Sequence, residues 1–190
     1  MKRSIFLILM FTFMLISCKN RSVISDENTA TIQADSRGYI VEVGDDAPDF
    51  VIEYLDGRKE MLSDHKGKVV MIQFTASWCG VCRKEMPYIE DKIWKKNSEN
   101  PDFLLIGIDF KEDAETTSKF AKDLNITYPL TLDLKGEIFE LFCGPDAGVT
   151  RNIIIDPQGK IIMLTRLFEE EEFNSMVELI DSELEKISTK

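Results

Sequence analysis

The tightest constraint on the fold is a junction. The run Val69-Val70-Met71-Ile72-Gln73-Phe74 is apolar at every position but Gln73, and reads as a strand covered on both faces. Trp78-Cys79-Gly80-Val81-Cys82 follows it, and Arg83 to Lys96 then reads as a helix. Two cysteines therefore sit where a buried strand hands over to a helix. A helix N-terminus carries unpaired N–H groups and partial positive charge, and both favour a thiolate over a thiol. A thiolate attacks disulfides, and a second cysteine one turn on can release what the first has captured. Half of a zinc site or a structural pair are the alternatives. A zinc site needs four ligands, and only His65, Cys143 and carboxylates remain to supply them. The motif and its context favour redox chemistry.

The first residues bear on where this chemistry happens. Lys2 and Arg3 precede an apolar run from Ile5 to Ile16. That is the anatomy of a secretory signal, and the run is shorter than the roughly 20 residues of a membrane span. It ends in Leu15-Ile16-Ser17-Cys18, which resembles a bacterial lipobox, with Cys18 as the lipidated residue. Cleavage to a soluble protein and retention as a signal anchor are the other outcomes. The expected division is a signal over residues 1–17, a lipidated Cys18 and flexible tether over 18–40, and a domain over 41–190. From Lys19 to about Tyr39 polar residues dominate, as in a flexible linker. An added strand through Val23, Ile24 and Ile32 is the other reading of that stretch. The remaining chain is long enough for one domain with a full core.

Charge excludes some partners. The whole chain carries 23 basic and 34 acidic residues, a net charge of −11. Without Lys2 and Arg3 the charge becomes −13. Nucleic acid and anionic membrane surfaces attract basic patches, so neither is an expected partner. Acyl chains, not charge, hold such a protein at a membrane, and more than one is needed for stable anchoring.

A pass along the domain predicts an α/β order. Asp49 to Tyr54 and Lys59 to Leu62 flank the turn Leu55-Asp56-Gly57. After the cysteine pair and its helix, Phe103 to Ile108 reads as a second buried strand. Asp113 is an N-cap for a helix with Thr117, Phe120, Ala121 and Leu124 on one face. Tyr128 to Leu132 is a short strand. Asn152 to Ile155 and Lys160 to Leu167 form a hairpin through Asp156-Pro157-Gln158-Gly159. A last helix carries Phe173, Met176, Val177, Ile180, Leu184 and Ile187 at helical spacing, with Glu169 to Glu172 at its positive end.

This order resembles a thioredoxin-like fold, a central mixed sheet flanked by helices, here with an N-terminal β extension. Val43-Gly44-Asp45-Asp46-Ala47-Pro48-Asp49-Phe50, Asp64 to Phe74, and Cys82-Arg83-Lys84-Glu85-Met86-Pro87 are similar to blocks of the TlpA/ResA-like thiol–disulfide oxidoreductases. The resemblance spans about residues 42–187. It implies an exported, membrane-anchored enzyme of the bacterial cell envelope, facing the periplasm or the exterior. It implies exported protein substrates with disulfides, for instance in cytochrome c maturation, and a separate membrane electron donor. It calls for no metal and no cofactor beyond the cysteine pair. Cys79 matches the nucleophile and Cys82 the resolving thiol. Trp78 matches a tryptophan that walls the site, with core packing as its other role. Pro87 matches a kinking helix proline. Glu85 matches an acidic residue near the dithiol, able to exchange protons with it, the alternative being a surface glutamate. Gln73 stands where thioredoxins carry a buried aspartate.

One block departs from the family. The family loop facing the dithiol reads "G-V-P-T-x-x-x-I-D" with a cis-proline, and this chain reads Gly148-Val149-Thr150-Arg151-Asn152-Ile153-Ile154-Ile155-Asp156. A cis bond before a non-proline residue costs about 2.5–4 kcal/mol. Either Thr150 tolerates that cost, or the bond is trans and the loop is reshaped. Val149, Thr150 and Arg151 form the expected substrate platform. Arg151 is either a surface arginine at a strand end, the first choice, or a group that recognises an anion or lowers a nearby cysteine's pKa. Cys143 has no partner; it reads as a small buried residue, with a third redox role as the alternative. His65 receives no role, and Asp109 reads as a strand-terminating aspartate. A peroxide reductase on the same fold, or a metal- or partner-binding module without activity, are the competing functions. The region before Cys79 lacks the proline and spaced threonine of peroxide-reducing relatives.

Overall fold

The computed structural model describes residues 37–189. The expected signal, Cys18 and the tether as far as residue 36 lie outside them, as does the possible strand through Val23, Ile24 and Ile32.

A small antiparallel hairpin, β1 (Val51–Glu53) and β2 (Lys59–Met61), comes first. The main chain then enters β3 (Val69–Thr75), buried at all seven residues. This explains the unbroken apolar run: a central strand has no solvent face to alternate with. Next come α1 (Gly80–Ile89), a π-helical stretch at Glu90–Trp94 and α2 (Lys95–Asn97). Pro87 lies inside α1, three residues before the π stretch. There follow β4 (Phe103–Phe110), α3 (Ala114–Leu124), β5 (Leu130–Asp133), α4 (Glu137–Glu140), β6 (Arg151–Ile155), β7 (Ile161–Leu164) and α5 (Glu170–Ser188).

The main sheet runs β5-β4-β3-β6-β7. β3 pairs parallel to β4 and antiparallel to β6, so the sheet is mixed, as the sequence order predicts. Register places Phe74 opposite both Ile108 and Arg151. The C-terminal end of β3, which feeds the cysteine loop, is thereby tied to the start of β6. Asp113 caps α3 as expected, accepting from the Thr116 N–H at 2.8 Å. Asn125 ends that helix in the left-handed region at φ +54°.

Two features depart from expectation. The first is α4, too short for a periodic pattern, whose Phe139 stacks edge-on to Phe74 at 5.1 Å. Asp133 accepts from the Phe139 N–H at 2.9 Å, which holds this turn. The second concerns residues 37–40, which the sequence assigned to the tether. They are docked on the domain: the Ile40 N–H donates to the Phe142 carbonyl at 2.9 Å, and the Tyr39 hydroxyl to the Thr165 carbonyl at 2.6 Å. The Arg151 guanidinium lies over the Tyr39 ring, 4.5 Å from its centroid, and donates to the Arg37 carbonyl at 2.6 Å.

Beginning the chain at Val41 strips a buried guanidinium of a carbonyl and an aromatic face. Compared with a chain beginning at Arg37, it is expected to lose about 2–4 kcal/mol. Urea unfolding of the two forms measures this, and equal midpoints would return residues 37–40 to the tether.

Candidate active site

The site begins at the end of β3. Cys79 is the N-cap of α1, and its sulfur accepts from the Cys82 N–H at 3.2 Å. The two cysteines are joined in a disulfide, with Cα atoms 5.3 Å apart. Cys79 retains 9% exposure and Cys82 none. An incoming thiol or disulfide therefore meets Cys79 first. Trp78 beside it is 64% exposed, so it stands at the rim and takes no part in core packing. The loop before it is pinned by Glu112, whose carboxylate accepts from the N–H and the hydroxyl of Ser77, both at 2.6 Å. Arg83 of α1 donates to the Ser77 carbonyl at 2.7 Å.

Thr150 faces the disulfide from β6's side. All peptide bonds in the described residues are trans, so of the two possibilities at Val149–Thr150 the reshaped loop holds. Thr150 adopts φ +71°. That region is costly for a β-branched residue, by about 1–3 kcal/mol. Two backbone bonds hold it there: its N–H donates to Phe74 (3.1 Å), and its carbonyl accepts from Leu167 (3.0 Å). The consequence is chemical. The Thr150 hydroxyl oxygen lies 2.9 Å from the Cys79 sulfur and 2.9 Å from the Cys82 sulfur. While the disulfide stands, only the hydroxyl has a hydrogen to donate. Thr150 and Val149 are both buried, so in this state a substrate chain does not reach their side chains.

Behind the disulfide lies a buried polar network. Glu85 sits one turn beyond Cys82 on the same buried face of α1. It is not a surface glutamate: it is 1% exposed and accepts from Asn152 at 2.7 Å and Gln73 at 3.1 Å. Gln73 accepts in turn from the Tyr128 hydroxyl at 2.7 Å. Burial pushes the Glu85 carboxyl up to about 7; the Asn152 and Gln73 hydrogen bonds oppose the shift, and Glu172 adds to it. Asp109, opposite Thr75 in β4, is fully buried beside Glu112 and Thr117. Burial, reinforced by Glu112, pushes it up to about 8. Sequence reading missed both Asp109 as a buried acid and Glu112 as the pin on Ser77; the contact of Glu112 with Ser77 spans 35 residues.

Arg151 departs furthest from its expected place. It is fully buried, not a surface arginine, with its Nε donating to the Gly148 carbonyl at 2.8 Å. Buried Cys143 has no disulfide partner; burial pushes its thiol up to about 11, while Arg151 and Arg166 pull it down. Among the described residues, no cluster of three or more His, Cys, Asp or Glu side chains is arranged to hold a metal.

A CxxC disulfide at the first helix of a five-stranded mixed sheet defines a thioredoxin-fold dithiol–disulfide protein. Comparison with known proteins agrees. The AhpC/TSA family model matches residues 43–163. Thiol–disulfide oxidoreductase ResA of Bacillus thuringiensis is 34% identical over 125 residues, covering 64% of this chain and 68% of its own. A solved structure from Bacteroides thetaiotaomicron, provisionally assigned as a protein disulfide isomerase, is 56% identical with a TM-score of 0.76. It covers 78% of this chain and 93% of its own. A Chlorobium tepidum structure, provisionally assigned as the thiol:disulfide interchange protein DsbE, is 26% identical with a TM-score of 0.66. It covers 76% of this chain and 99% of its own. The chain belongs to the AhpC/TSA family and, within it, to the ResA-like thiol–disulfide oxidoreductases.

The raised Glu85 has a thermodynamic consequence. The folded protein binds its proton more tightly than the unfolded chain does. The stability this contributes is complete below pH 4.5 and is lost as pH rises through about 7. Wild type is expected to lose on the order of 3 kcal/mol more than Glu85→Gln between pH 4 and pH 8. Denaturant unfolding across that range measures it; parallel curves would contradict the buried-carboxyl account.

Proposed function

We propose that this protein is a membrane-anchored, extracytoplasmic reductase of disulfides in exported proteins. The observation that carries the reading is the Cys79–Cys82 pair at the start of α1, with Cys79 the more accessible of the two and Cys82 sealed. In the reduced state the Cys79 thiolate attacks one sulfur of a substrate disulfide. A mixed disulfide forms and one substrate thiolate leaves. The Cys82 thiol gives up its proton and attacks the Cys79 sulfur. The second substrate thiolate leaves, and the Cys79–Cys82 disulfide remains. Two electrons have passed to the substrate, and a separate donor must return two to the pair.

Glu85 is the proposed proton acceptor for Cys82. It lies one turn away, and a carboxyl near 7 is matched to proton exchange at neutral pH. The Thr150 hydroxyl is the proposed donor to the developing thiolates, since it touches both sulfurs. A hydrogen bond to a charged group is worth about 1.5–3 kcal/mol, more than one to a neutral sulfur. Trp78 and the backbone of the Val149–Arg151 loop supply the proposed platform at the rim. Export and anchoring rest on the sequence of the first eighteen residues, with lipid on Cys18 and a tether beyond it. Among the described residues no helix is long and apolar enough to cross a membrane.

The mechanism is tested by trapping. A Cys82→Ser protein retains the attacking sulfur and loses the releasing one, so it is expected to accumulate mixed disulfides with exported proteins. Cys79→Ser is expected to accumulate none and to reduce insulin at the uncatalysed rate. Mixed disulfides on Cys79→Ser instead, or peroxide consumption that outpaces insulin reduction in wild type, would overturn the assignment.

A further inference from the structure

Beside the loop that carries Thr150 lies a second feature, a cleft of about 620 Å³. Its walls include Arg37, Gly38, Ala147, Gly148, Arg151 and Arg166. Arg151 is fully buried. Its Nε and Nη2 are used, on the carbonyls of Gly148 and Arg37, but its Nη1 has no hydrogen-bond partner. Arg166 repeats the pattern, with a buried Nη1 that also lacks a partner. Arginine cannot shed its proton. A buried, unpaired guanidinium N–H is costly, and two cations facing one cleft add repulsion.

The nearby acids do not relieve this. Asp146 and Glu169 also line the cleft, but both are exposed. Among the described residues neither forms an ion pair with Arg151 or Arg166. Glu172 is engaged with the Arg37 guanidinium at 2.5 Å. A carboxylate entering the cleft supplies the negative charge that the two guanidinium groups lack.

The position of the cleft suggests which anion. Gly148 is two residues from Thr150, and Leu167 on the cleft wall donates to the Thr150 carbonyl. A polypeptide laid against this loop in extended form advances about 3.3 Å per residue. A side chain two or three residues from the attacked cysteine then reaches the cleft wall at Arg166, which is partly buried, while Arg151 is sealed behind it and acts through its charge. The chain as a whole carries −11 and repels acidic segments, so a local cationic cleft is where such a segment gains attraction.

We infer that this cleft is a carboxylate subsite, selecting substrate disulfides that have an Asp or Glu two or three residues from the attacked cysteine. The inference rests on the reductase reading for its substrate, and two measurements separate the two ideas. Binding is measured first, with peptides carrying serine for both cysteines and differing only by Glu or Gln at that position. The full-length protein is expected to bind the Glu peptide about tenfold more tightly. That ratio falls toward one in Arg166→Gln, is partly restored in Arg166→Lys, and shrinks as salt rises from 50 to 500 mM. Turnover of the cysteine-containing pair is measured second and is expected to show the same ratio in kcat/KM. Equal binding of the two peptides overturns the subsite whatever the turnover. A Glu preference in binding with no turnover of either peptide supports the subsite and removes the reductase reading alone. Inorganic phosphate is the third probe. If it binds the cleft more tightly than the Glu peptide does, the cleft is a small-anion site and the inference fails.

Discussion

One hydroxyl organises the site. Thr150 Oγ1 reaches both sulfurs of the Cys79–Cys82 pair at 2.9 Å, and much of the surrounding structure serves to keep it there. A β-branched residue at φ +71° does not hold that conformation unaided. Phe74 supplies the acceptor for its N–H and Leu167 the donor for its carbonyl. Phe74 is itself fixed by register between β4 and β6 and by the rings of Phe139 and Phe142. The same strand end delivers Cys79 to the start of α1, so one piece of sheet geometry sets both sides of the contact.

Below this contact the protein keeps polar groups in its core that a purely structural design would replace. Glu85, Gln73, Tyr128, Asn152 and Thr165 are all buried, and all are joined by hydrogen bonds. A buried carboxyl costs stability whenever it ionises, and this one sits near neutrality with amide donors on both oxygens. In the proposed reaction that cost has a purpose. Cys82 is fully buried and its proton cannot leave to water directly, so an acceptor one helical turn away is the short route. Asp109 and Glu112, on the other side of the cysteine loop, form a second acidic pair, of which Glu112 holds Ser77 in place.

The fold was largely legible because its signals are local. The unbroken apolar run of β3, the Asp113 cap and the apolar face of α5 each depend on neighbours within a few residues, and each element lies where the sequence puts it. The site was legible in its residue types and less so in its contacts. Thr150 was found by its place in a family loop, but nothing nearby in sequence shows its hydroxyl reaching Cys79, 71 residues away. Arg151 was expected at the surface because burial of an arginine is rare. Its burial depends on the Arg37 carbonyl, 114 residues distant, and on the Tyr39 ring. The same long-range contact took residues 37–40 out of the expected tether. The short α4 escaped because one helical turn leaves no periodic pattern.

The most direct test of this account is the dithiol–disulfide equilibrium of Thr150→Val, measured against a glutathione buffer beside the wild type. Valine keeps the branched shape and removes the hydroxyl. If that hydroxyl holds the thiolate more strongly than it holds the disulfide, its loss weakens the reduced form and shifts the equilibrium toward the disulfide by about tenfold, for a preference of about 1.4 kcal/mol. An equilibrium unchanged from wild type, in a variant that folds with the same stability, would contradict the role given to Thr150.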